Sequence, residues 1–472
     1  MDKLLKFLVD SFGVIISLFL YFKAPDNSSK YYCQICAVSY ILVIWPAVYY
    51  DIRRKNYISF NTLFFLALFL ATFIVPLFIG SNINSFILFE KYICKGTALV
   101  VLASSLYVIG WKQGIRKSKV TKIKPLPRIS NRIRSILHLL CLLSTFMYTY
   151  FLLLFIKYYL GSSNDALTGP PVTIIQTIMP LTLIIDAFAY KHKKQGGVSF
   201  LSFAWYSFIP LICSLYIIIS SIIIVGDRTM PLFLLVTIAA TYVFLVRKMK
   251  GLFLLISAFF FMSIFYTMGR VRSGDQSYYG SNLTEMANTT SDVVRQANDT
   301  ETLFEDFIPA SMSIYMLYYW RDVNNDKLYY PGKIFFIPFS PIPYVPSIIA
   351  RMMYGVEKQG DLSSGKLTTQ LRDEKIGILK SGVGTHAVAD IYVSYGIVGV
   401  FVFFYFFGML IGYTCYRLSY SIYSALVYIT LTGDAFYIAR ATLLMDLRAI
   451  VYQMLVFYIL ISIYQVRLKV KK

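Results

Sequence analysis

The sequence predicts an all-α, polytopic membrane bundle of about twelve transmembrane helices, and three observations carry that prediction. Of the 472 residues, 57% are hydrophobic and 15% charged, against about 25% charged in soluble globular chains, and the mean hydropathy is +0.62. The apolar residues fall in continuous runs of roughly 20, the length of one helical crossing, rather than the alternating segments of about ten found in outer-membrane barrels. Basic residues collect in every second gap between the runs. A soluble enzyme and a disordered chain are both excluded.

Taken in order, the predicted spans are 4–22, 31–50, 59–79, 92–111, 135–157, 172–190, 200–224, 230–246, 251–268, 388–411, 421–433 and 447–466. The eleventh is short and interrupted by Gly433-Asp434, so it breaks there or extends towards Arg440. With the N-terminus inside, DIRRK at 51–55, KHKK at 191–194, RKMK at 247–250 and RLKVKK at 467–472 fall on one side. So does segment 112–134, with nine basic residues and no acid. Excess Lys and Arg in short loops mark the cytoplasmic side, so both termini are expected there. The net charge of +21 is read in the same way and not as a nucleic-acid footprint. The first span lacks a small-residue cleavage site and reads as a span, not a signal peptide.

Three parts follow: an N-terminal bundle, 1–268; a large outer loop, 269–387; and a C-terminal bundle, 388–472. The loop carries 12 basic and 13 acidic residues. Segments 307–320 and 333–355 within it are apolar and aromatic. Pro338, Pro341, Pro343 and Pro346 forbid a regular spanning helix in the second, and both are expected to lie along the outer interface, where Tyr and Trp sit well. Asn282, Asn288 and Asn298 each start an N-x-Thr triplet, which a loop rich in Asn, Ser and Thr also produces by chance. The six cysteines lie in or beside apolar runs and indicate no disulfide framework; Cys33 and Cys36, although a CxxC pair, read as small apolar residues.

Charges at helix ends are the informative ones in a membrane protein. Arg228 falls in a short outer turn, V-G-D-R-T, and Arg270 and Arg272 fall in G-R-V-R, where the ninth span ends. Arg351 follows the proline-rich segment, and Arg440 and Arg448 flank the loop into the last span. Arginine suits phosphate and pyrophosphate because its planar fork makes bidentate, permanently charged hydrogen bonds. The competing reading for each is a helix-end cap, an ion pair with a nearby acid, or a lipid head-group contact.

The stretch S-G-V-G-T-H-A-V-A-D (381–390) leads into the tenth span. Thr385 is placed to cap that helix. His386 and Asp390, four residues apart, are expected on one face, where imidazole or carboxylate could act as a general base. His386 is favoured, with a polar cap as the alternative; Asp390 also suits a positive helix N-terminus. Asp10 and Asp186 inside spans read as isolated. No HExxH, Walker or GxSxG motif is present.

On this layout, and on the run A-V-A-D-I-Y-V-S-Y-G-I-V-G (387–399) with the Gly226-Asp227-Arg228 turn, the chain resembles the Wzy-type O-antigen and capsule repeat-unit polymerases. Asp390 stands where many members carry Glu. The resemblance implies a GT-C-like bundle with an outer helical cap, working at the outer face of the bacterial cytoplasmic membrane. It implies transfer of a growing glycan from undecaprenyl pyrophosphate to a lipid-linked repeat unit. It implies no cofactor, metal, nucleotide sugar or nucleic acid; the bilayer, the carrier-linked oligosaccharide and a chain-length regulator would be the partners. Outer-loop aromatics Tyr278, Tyr279, Tyr315, Tyr318, Tyr319 and Trp320 are candidates for stacking on sugars, or for interfacial anchoring. An O-antigen ligase shares donor and architecture and is the rival reading. A flippase is the third; it would normally show internal repeats, and none is found.

Overall fold

The computed structural model describes residues 2–79, 89–120, 129–159, 170–193, 199–225, 229–248, 308–332, 339, 342, 344–356, 362–375, 384–443 and 447–470, and among these residues all regular structure is helical. Seven helices are long and apolar enough to cross a membrane, eight if one bent pair counts as a span. Span 251–268 lies outside the described residues.

The first four helices are α1 (Asp2–Phe22), α2 (Lys30–Arg53), α3 (Phe60–Ile74, with a π turn over Val75–Ile79) and α4 (Glu90–Val120). Ser29 and Ser59 cap α2 and α3 by accepting from the amides of Tyr32 and Thr62, donors that would otherwise go unpaired. Next come α5 (Asn131–Tyr159), α6 (Pro170–Lys193), α7 (Phe200–Tyr206), α8 (Phe208–Ser220) and α9 (Thr229–Thr241, then a π turn to Val246). The expected span 200–224 is not one straight rod. Ser207, with non-helical φ −105° and ψ 33°, separates α7 from α8 at a bend of 93°.

Three helices follow from the loop: α10 (Ile308–Val323), α11 (Val345–Tyr354) and α12 (Ser364–Lys375). The C-terminal part is α13 (Ala387–Arg417), α14 (Ile422–Gly433), α15 (Ala435–Ala439) and α16 (Leu447–Val470). The eleventh expected span breaks at Asp434 and resumes as α15, as its Gly-Asp interruption suggested.

The centre of the bundle is the α4–α13 pair. The two helices run parallel and touch through two small-residue spacings, Gly110-x-x-x-Gly114 and Gly408-x-x-x-Gly412. A methyl group built on any of these four would overlap backbone of the other helix, at Tyr405, Met409, Tyr107 and Trp111 respectively. Lipid tails are as apolar as leucine, so the burial of apolar surface that joins soluble helices is weak here, and close backbone packing takes its place. Helices α1, α2 and α10 surround this pair, while α6 organises a second group with α5, α8, α9, α14 and α16.

The basic loops meet at one end. Lys119 lies over the Tyr416 ring, 5.9 Å from its centroid, and Lys248 donates to Asn56 and senses Arg54 and Lys191. Here it is called the basic end. At the distal end, Asp26 pairs with Lys95 at 2.7 Å and Ser28 with Glu90.

The described part of segment 307–320, residues 308–320, does not lie along a surface. In α10, Ser311, Ser313, Ile314, Tyr315, Met316 and Leu317 are fully buried. The Ser311 hydroxyl donates to Ala71 O of α3 at 2.5 Å, and the Tyr315 ring packs over Gly96 of α4. The apolar character is that of a core helix, and α10 is inserted between spans at the distal end. In contrast, α11 is about 15 Å long, too short to cross a bilayer, and it exposes Ile348 and Met352.

Candidate functional site

Two neighbouring features occupy the distal end: a buried polar knot at the start of α13 and a tyrosine-lined cleft between α1, α4, α10 and α13.

The knot gathers the glycine-rich approach, α12 and α3. His386, not Thr385, is the N-cap of α13: its backbone is extended (φ −125°, ψ 131°) and its Nδ1 accepts from the Val388 amide at 3.2 Å. Its Nε2 faces Thr72 Oγ1 of α3 at 3.0 Å. The Thr72 hydroxyl hydrogen goes to Leu68 O at 2.7 Å, so the imidazole is the donor. Both ring nitrogens are therefore spent, and the side chain is wholly buried. Asp390 lies in the first turn of the same helix but turns elsewhere. Ser364 Oγ, at the start of α12, donates to Asp390 Oδ1 at 2.6 Å and lies 2.9 Å from Thr385 Oγ1. The two residues are one turn apart, the Asp390 amide donating to His386 O at 2.8 Å, yet their side chains serve different neighbours. The shared face expected from their spacing fails because an N-cap residue is not yet helical.

Gly384, with φ +75°, carries the chain into this cap, 3.6 Å from where a side chain on Gly365 would begin and close to the Arg440 carbonyl. Arg440 thus reaches the knot through its backbone, and its side chain is exposed. Arg351 is exposed on α11, whose inner residues pack with Leu362 and Tyr330. Arg228, Arg270 and Arg272 lie outside the described residues, as do Tyr278 and Tyr279. Tyr315 is fully buried in the bundle, so it cannot stack on a ligand. Among the described residues, no three His, Cys, Asp or Glu side chains converge as metal donors.

The cleft has a volume of about 350 Å³, at the low end for ligand sites. Tyr318 and Tyr392 stack with centroids 4.3 Å apart. Arg321 covers the Tyr392 ring at 4.5 Å. Lys91, Lys95 and Asp322 line the mouth with Phe22. The Tyr92 hydroxyl and the Lys91 ammonium both bind Asp322 Oδ2, at 2.6 and 2.9 Å, and hold its carboxyl below the usual carboxylate range.

Arg321 also holds a break in α13. Gly396 (φ 67°, ψ −165°) interrupts the helix in a region of backbone space that is essentially glycine-only. A continuous helix would return the amides of residues 396 and 397 to the carbonyls of Tyr392 and Val393. Instead, Arg321 Nη1 donates to Tyr392 O at 3.4 Å and the Tyr329 amide to Val393 O at 2.9 Å. The break sits six residues after Asp390 and four after Tyr392, the α13 residue on the cleft wall.

Sequence reasoning missed Lys91, Lys95, Arg321 and Ser364. Lys91 and Lys95 stand at the start of an ordinary span, and Arg321 and Ser364 are single polar residues in the loop; no local spacing joins them. Compared with protein families, curated proteins and solved structures, the chain matches none of them.

Proposed function

We propose that the chain is a membrane glycosyltransferase of the polysaccharide-polymerase kind, with twelve spans, a GT-C-like bundle and both termini in the cytoplasm of a bacterium. Its distal end would face outward. The observation that carries this reading is a buried carboxylate, Asp390, held by the loop helix α12 through Ser364, beside a cleft of tyrosines and charged pairs. The building of loop helices into the bundle supports a site assembled from both.

The reaction is displacement at an anomeric carbon. A hydroxyl of the incoming lipid-linked repeat unit forms the new glycosidic bond, and the bond to undecaprenyl pyrophosphate breaks, the electron pair leaving with the pyrophosphate. Asp390 takes the hydroxyl proton; it replaces His386 in that role because His386 has no free lone pair. Arg440, with Arg228, Arg270, Arg272 and Arg351, would stabilise the leaving charge. A chain-length regulator would act from outside the chain.

The test is reconstitution of the purified protein in nanodiscs with lipid-linked repeat units. The expected product is a ladder of polymer on the carrier, with Asp390→Asn slower by about 100- to 10,000-fold. Absence of any ladder from the wild type, with correctly folded protein and authentic substrate, overturns the reading.

A further inference from the structure

The geometry points to the tyrosine cleft as a subsite for an uncharged saccharide segment, separate from the place where pyrophosphate binds; this rests on the polymerase reading above. The cleft would at first suggest an anion site, because Lys91, Lys95 and Arg321 line it. Each cation is already matched. Lys91 pairs with Asp322 at 2.9 Å, Lys95 with Asp26 at 2.7 Å and Arg321 with Asp326 at 3.1 Å. A pyrophosphate entering here would meet the carboxylates of Asp322 and Asp326 along with the three cations, and would have to pull Lys91, Lys95 and Arg321 from their present partners to be neutralised.

The same pairs suit a neutral ligand rich in hydroxyls. Such a ligand donates to the carboxylates and accepts from the ammonium groups without any net charge being desolvated. The hydroxyls of Tyr21, Tyr318 and Tyr392 meet on the wall, Tyr318 donating to Tyr21 at 3.3 Å. Phenol hydroxyls both donate and accept, so they adapt to either sense of a sugar hydroxyl. Phe22, 73% exposed at the mouth, offers an open ring face for the C–H side of a pyranose. Arg321 Nε is buried without a hydrogen-bond partner among the described residues, so the side chain that borders the cleft is not fully satisfied within the protein. Because Arg321 also holds the break after Asp390, saccharide in the cleft sits against the segment that carries the proposed base.

The experiment uses the full chain in nanodiscs and two probes: the neutral repeat-unit oligosaccharide released from the host's own polysaccharide, free of lipid and phosphate, and inorganic pyrophosphate. Binding is read by calorimetry for the wild type, Tyr392→Phe and Asp322→Asn, with thermal melts as the folding control; both substitutions keep side-chain shape. Polymer formation is measured on the same wild-type sample. The expected result is that the oligosaccharide binds, that each substitution weakens it about tenfold or more, and that pyrophosphate does not displace it. No oligosaccharide binding by the wild type, unchanged binding in both folded variants, or displacement by pyrophosphate overturns the subsite. If the wild type still polymerises in any of these cases, the polymerase reading stands without it; if oligosaccharide binds as expected but no polymer forms, the subsite stands and the reading falls.

Discussion

His386 and Asp390 show how two polar residues four apart acquire different tasks. His386 spends Nδ1 on the helix cap and Nε2 on Thr72 of a neighbouring span. Its replacement by Asn, a strong N-cap residue, should keep the cap, cost about 1 kcal/mol through the lost Thr72 contact, and leave polymer formation within a few-fold of wild type. A loss as deep as that of Asp390→Asn would return the base to His386. Asp186 repeats the lesson at the basic end. The sequence shows an isolated acid inside a span, but Asp186 is fully buried and binds Arg134 Nε at 2.8 Å and His138 Nε2 at 2.9 Å. Arg134 in turn lies 3.9 Å from the Tyr206 ring centroid. Asp186→Asn leaves the half-buried Arg134 without its counter-charge and should destabilise the protein by less than the roughly 3–5 kcal/mol of a fully buried pair, read as a lower melting midpoint with the helix content unchanged. The side chain of Asp10 lies outside the described residues.

At the scale of elements, α13 is two helices joined at Gly396. Gly396→Ala forces a side chain into a conformation that costs about 1–3 kcal/mol, and the cheaper outcome is to straighten the helix. That would release Arg321 and Tyr329 from the carbonyls they now satisfy. The expected result is a lower melting midpoint together with a large fall in polymer formation, because the segment bearing Asp390 is re-aimed. A variant that melts lower but polymerises at the normal rate would make the break purely structural. The α4–α13 contact is more demanding. Gly110→Leu has no void to enter, since even a methyl group there meets the Tyr405 carbonyl. It should cost more than the roughly 1–3 kcal/mol of ordinary overpacking, measured as loss of resistance to detergent unfolding.

For the whole molecule, the parallel course of α4 and α13 requires their N-termini to share one side of the membrane, as do the basic loops that meet at the other end. With Lys327 at the distal end and Lys117 at the basic end, both exposed, single cysteines at these positions should respond oppositely to an impermeant maleimide in spheroplasts. Labelling is expected at Lys327→Cys alone; labelling of Lys117→Cys alone would invert the orientation, and labelling of both would break the alternation.

By itself the sequence determined the all-helical class, the apolar helices of membrane-crossing length and the break at Gly433-Asp434, because hydropathy and a Gly-Asp interruption are local quantities. It also singled out 381–399, which holds the cap and first turns of α13 and the residues of the proposed site. Tertiary structure alone decided that residues 308–320 form a core helix, since an apolar aromatic run reads the same against lipid or against protein. It alone decided which way His386 and Asp390 turn, because their partners Thr72 and Ser364 lie 314 and 26 residues away. The cleft was invisible for the same reason: its lysines, its arginine and its tyrosines come from four helices, and only packing gives them a common wall.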